Sequence, residues 1–113
     1  MQSFPIDHAK LPQLSFLAVA PKIADRATGT QKTNALDIPI WSVQVLMAAT
    51  EDRQAELETI SVPSRIAPSF DPMTVLSFEN LRGFFWQMNG KSGVSMSAES
   101  VDASDELSDW IHD

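Results

Sequence analysis

Residues 37–49 read DIPIWSVQVLMAA, and the fold is decided by how that stretch is read. Trp41, Val43, Val45 and Met47 alternate with Ser42 and Gln44. A period of two, with β-branched and aromatic residues at the apolar positions, predicts a strand with one buried and one wetter face. Downstream, TEDRQ (50–54) turns the chain, and AELETISVP (55–63) sets Glu58, Ile60 and Val62 against Leu57, Thr59 and Ser61 until Pro63 stops it. Upstream, LSFLAVA (14–20) is short, apolar and bounded by Pro12 and Pro21, which suits a first strand.

The rest of the chain extends the pattern. Residues 21–36, PKIADRATGTQKTNAL, are polar and turn-prone around Gly29, and read as a mobile loop or a β-hairpin arm. SRIAPSFDP (64–72) reads as an irregular crossing loop before the strand MTVLSFENL (73–81). FFWQM (84–88) and GVSMSAESV (93–101) flank NGKS, and Asn-Gly between apolar runs signals a tight hairpin because both residues accept positive φ. Alternation there places Phe84, Trp86 and Met88 on one face and Phe85 on the other, with Val94, Met96 and Ala98 as a matching apolar stripe. If Phe84 and Trp86 join Trp41 and Phe78 in the core, Phe85 points outward.

Seven prolines leave little room for a long helix. The chain therefore predicts an all-β fold of five or six strands, most economically a small antiparallel OB-like barrel, with an SH3-like barrel or a two-layer sandwich as the other arrangements. At 113 residues with 43% hydrophobic content it fits one domain. We divide it into an N-terminal segment (1–13), the barrel (14–101) and an acidic tail (102–113). An uncovered apolar edge at VLMAA (45–49) would favour a homodimer.

Charge is segregated. Six of the fifteen acidic residues lie in 99–113 with no Lys or Arg beside them, which leaves nine acidic and eight basic residues in 1–98. Most of the net charge of −7 therefore belongs to the tail. The tail also carries Leu107, Trp110 and Ile111 at helical spacing after Ser104. It reads as a solvated terminus, as a short helix docked on the barrel, or as a recruitment peptide. In the last reading Asp105, Glu106 and Asp109 meet a basic patch on another protein while Leu107, Trp110 and Ile111 fill an apolar pocket. That composition is similar to the acidic, apolar-ended tails of bacterial single-stranded DNA-binding proteins.

Catalytic patterns are scarce. The two histidines, His8 and His112, lie near the ends of the chain, and there is no GxSxG, HExxH or phosphate-binding glycine loop. Without cysteine, disulfides and thiolate metal sites are excluded. We expect a non-enzymatic cytoplasmic protein with no cofactor and no metal; no signal peptide or apolar membrane span is read in the sequence. A binding surface is the better expectation. Single strands are held by aromatic platforms beside basic side chains. Phe85 and Trp41 are the candidate platforms, and Arg82, Lys91, Arg65 and Lys32 the candidate phosphate contacts, with Lys22 and Arg26 nearby. A nearly neutral body implies modest, salt-sensitive affinity.

The strands PIWSVQVL (39–46), ETISV (58–62) and VLSFENL (75–81), with an Asn-Gly hairpin ending in SMSA (95–98), carry a family likeness. Across about residues 14–101 the chain resembles the small replication, integration and excision activator proteins, or regulators, of actinobacterial integrative elements and plasmids. The resemblance implies a role on mobile DNA and supplies no catalytic residues. Two functions follow as expectations. One is an accessory replication or single-stranded-DNA-binding protein that recruits a replication or regulatory protein through its tail. The other is a protein-binding regulator, an adaptor or DNA mimic, that never touches nucleic acid.

Overall fold

The computed structural model describes residues 3–104. It is all-β: β1 (Ser3–Pro5), β2 (Leu14–Pro21), β3 (Ile23–Asp25), β4 (Thr30–Gln31), β5 (Ile40–Met47), β6 (Glu56–Pro63), β7 (Leu76–Glu79), β8 (Arg82–Met88), β9 (Lys91–Ser97) and β10 (Ser100–Ala103). One 3-10 turn, His8–Lys10, is capped by the Asp7 side chain accepting from the Ala9 amide. Among the described residues no helix is long and apolar enough to cross a membrane.

Six strands form one mixed sheet in the order β1-β8-β9-β6-β5-β2. β5 is its centre of gravity, pairing with β6 along its whole length and with β2 from Leu14↔Met47 to Pro21↔Trp41. A bulge between Phe16 and Ala18 shifts the β2 register, so Phe16 opposite Val45 and Val19 opposite Val43 both reach the same face. β8 and β9 form the Asn-Gly hairpin, with Asn89 at φ 53° and Gly90 at φ 78°, the two positive values of a type I′ turn. β9 then joins β6 in parallel, at Ile60↔Met96 and Ser61↔Ser97.

One face of this sheet is apolar and is covered by a second layer, the antiparallel pair β7–β10. Leu14, Phe16, Val43, Val45, Met47, Ile60 and Val62 from the sheet close on Leu76, Phe78, Leu81 and Ala98. Val43, Val45 and Ile60 are wholly withdrawn from water. Burying a side chain of this size contributes about 1.5–3 kcal/mol, so the core sits where the alternation of residues 41–62 puts it. Phe70 packs edge-on against Phe16 with ring centroids 5.6 Å apart and seals the crossing loop.

Several expectations change. The barrel does not close: among the described residues β1 and β2 remain the outer strands of the sheet, and β2 meets the segment before β7 only locally, at the bridge Ser15↔Val75, where the Phe16 N–H donates to the Thr74 carbonyl and the Met73 N–H to the Phe16 carbonyl. The pairing is mixed rather than antiparallel, because the chain crosses from β6 through β7 before β8 and β9 return beside it. Ten strands lie among the described residues, since GVSMSAESV breaks at Ala98-Glu99 into β9 and β10 and the arm at 21–36 carries its own hairpin, β3–β4. The VLMAA edge is not open either, because β5 lies between β6 and β2. The expectations placed on Asp105, Glu106, Leu107, Asp109, Trp110 and Ile111 fall outside the described residues.

Candidate functional site

The uncovered face of the six-stranded sheet is built by every second residue. Cross-strand partners share a face, so the pairing registers assign it: Ser3, Arg82, Phe84, Trp86, Met88, Lys91, Gly93, Ser95, Ser97, Thr59, Ser61, Ser42, Gln44, Ala18 and Ala20 project outward, as do Leu57, Leu46 and Ser15 toward the other end of β5 and β6. No Asp or Glu occupies an outward position on these six strands. Hydroxyls from β5, β6 and β9 form its middle, and cations stand at its borders.

Trp86 is the platform on this face. It pairs with Gly93 on β9, and a Cβ built on Gly93 would fall 2.8 Å from Trp86 Cζ2. The indole therefore lies flat across the strand where no side chain intervenes, and the residue is 37% exposed. Phe84, two residues along the same strand, is half-buried, and Met88 is 68% exposed. Lys91, opposite Met88, is the diagonal neighbour of Trp86. Arg82 is oriented by Ser3, whose Oγ accepts from Nε at 3.0 Å and from Nη2 at 2.7 Å. At the opposite border Lys22 Nζ donates to Ser61 Oγ at 2.8 Å. Burial first and the charge of Lys32 second hold Lys22 below its ordinary value of 10.5, and a bound anion would offset the repulsion between the two lysines.

A polar cleft of about 360 Å³ on this side is lined by Lys22, Ser42, Leu57, Glu58, Thr59, Ser61, Val94, Ser95 and Met96. Hydroxyl donors, two flanking sets of cations and one open indole face make a surface suited to a polyanion carrying flat rings. Compared with protein-family models, curated proteins and solved structures, the chain matches none.

The residues expected from sequence divide. Arg82 and Lys91 stand on this face, and Lys32 reinforces its Lys22 border. Phe85 is 67% exposed, yet it shares the opposite, core-bearing face with Gly83 and Val94 and leans on Phe4 with centroids 5.7 Å apart. Trp41 sits at the far end of β5, half-buried, with Nε1 donating to the Ser64 carbonyl at 2.8 Å. Arg65 follows Ser64 in the loop at that same end, exposed and remote from the hairpin. Phe85 and Trp41 therefore do not form one site with the cations. Trp86, expected in the core, is the ring that does, because the core ends before the outer half of the β8–β9 hairpin. Gly93 opposite Trp86, four residues beyond the Asn-Gly turn's first position, was the sequence signal for this.

Among the described residues no group of three or more His, Cys, Asp and Glu side chains is placed to hold a metal ion.

Proposed function

We propose that the outward face of the six-stranded sheet binds single-stranded DNA, and that the protein is an accessory replication or single-strand-binding factor of a mobile genetic element. The observation that carries this reading is a sheet face whose outward strand positions hold no carboxylate and on which an indole lies open between cationic borders. Trp86 stacks a base, Phe84 and Met88 flank it, and Lys91, Arg82 and Lys22 meet phosphates. Ser42, Thr59, Ser61, Ser95 and Ser97 accept or donate along the backbone path without reading sequence. The resemblance of residues 14–101 to regulators of actinobacterial elements supplies the setting.

The reading is tested by titrating fluorescein-labelled oligo(dT) at increasing salt. With three phosphate contacts, log K against log salt should fall with a slope of about −2. Trp86→Ala should weaken binding by about 1–3 kcal/mol, the worth of one stacked base, with the far-ultraviolet spectrum unchanged. Phe85→Ala should leave affinity as it was. Absence of binding at low salt, or equal losses from both substitutions, would refute the assignment.

A further inference from the structure

The parallel joint between β6 and β9 is short. β6 begins at Glu56 and β9 at Lys91, but the two strands pair only at Ile60↔Met96 and Ser61↔Ser97. Residues 56–59 and 91–95 therefore run beside each other without a ladder, and their facing main-chain edges have no partner strand among the described residues. The seam is open from both sides: Glu58, Val94 and Met96 line the polar cleft outside and also a cleft of about 370 Å³ on the core-bearing face, with Leu11, Met47 and Arg53.

The inner cleft has its own chemistry. Its walls are aliphatic, and the apolar surface continues onto Val94, 45% exposed, and its cross-strand partner Phe85, 67% exposed. The second layer, β7–β10, packs over the core and leaves this end uncovered. Within those walls stands Glu58, directly opposite the wholly buried Val45. Among the described residues the Glu58 side chain has no hydrogen bond or ion pair. The nearby Arg53 guanidinium is engaged by Glu56, Nη2 to Oε2 at 2.8 Å.

We propose that this seam is a docking site for an extended, basic peptide segment of a partner protein, added as a β-strand with apolar side chains on Phe85, Val94 and Met96 and a Lys or Arg on Glu58. Unpaired strand edges give main-chain affinity and flanking pockets give side-chain preference, as in other strand additions. Charge complementarity selects the cation. Burial and the neighbouring Glu56 raise the Glu58 carboxyl above its ordinary value, and an incoming cation would reverse that. The seam shares Glu58, Val94 and Met96 with the outer cleft but not Trp86, Arg82 or Lys91, so substitutions at Phe85 and at Trp86 let each proposal fail alone.

The test uses the full chain and two fluorescein-labelled, end-capped octapeptides, one alternating lysine with valine and phenylalanine, the other alternating glutamate with the same residues. The lysine peptide should bind saturably and the glutamate peptide should not. Glu58→Gln should weaken the lysine peptide about tenfold, since truncating one member of a desolvated charge pair mainly speeds dissociation. Phe85→Ser should weaken it as well and leave oligo(dT) affinity unchanged, while Trp86→Ala should not weaken it. Peptide-induced amide shifts should concentrate in residues 56–59 and 91–95. Shifts confined to residues 105–113, equal affinity for both peptides, or a chain mass that doubles with concentration through this seam would each overturn the proposal.

Discussion

Glu58 and Gly93 are the residues on which small changes should speak most clearly. Glu58 holds its proton to higher pH in the folded chain than in the unfolded one, through burial first and Glu56 second, with Arg53 pulling the other way. The folded state then binds more protons between the ordinary value of 4.5 and the raised one, so stability falls as pH rises through that window. Glu58→Gln removes the slope. Its urea midpoint should gain on the parent's as pH rises through the weakly acidic range and keep a constant lead above it; a midpoint that falls relative to the parent on the same rise would contradict the assignment. Gly93 shows where reading the sequence stopped. Alternation made it legible that Phe85 lies on the face opposite Phe84 and Trp86. Which of the two faces carries the core was not, nor was the exposure of both Phe85 and Trp86, because that depends on where the second layer ends, a long-range property of β7 and β10. A lone Gly opposite an aromatic in a strand marks close approach, and here it marks the ring that matters.

At the scale of elements, β5 and β6 were readable because their apolar residues repeat at two over eight residues, and the β8–β9 turn because Asn89-Gly90 suits positive φ at both positions. The split between β9 and β10 was not, since Ser97, Ala98 and Glu99 carry no strong breaker; Ala98 leaves the sheet to enter the core between the layers. The turn itself is testable. Gly90 has φ 78° and open space around its missing side chain, so Gly90→Val meets backbone strain without a clash. Forcing a β-branched residue into that region should cost about 1–2 kcal/mol, read as a lower urea midpoint at unchanged slope. An unchanged midpoint would mean the hairpin's outer half is not coupled to the core.

At the scale of the molecule, the all-β class followed from proline spacing and period-two patterning, whereas closure into a barrel did not follow. Closure is set by which strands meet last, and here β1 joins β8 at one border while β2 ends the other, with a short parallel joint between. That topology gives the sheet two faces of opposite character: outward, hydroxyls, cations and an open indole; inward, a core, an apolar overhang and the Glu58 carboxylate beside the Glu56–Arg53 pair. The central claim is that nucleic acid lies on the outward face. Amide and side-chain shift mapping by NMR during addition of oligo(dT) tests it most directly. The largest changes are expected at the Trp86 indole N–H, Lys91, Ser95, Ser97 and Ser61, with Phe85 quiet. Changes centred on Phe85, Val94 and Glu58, with Trp86 undisturbed, would contradict it.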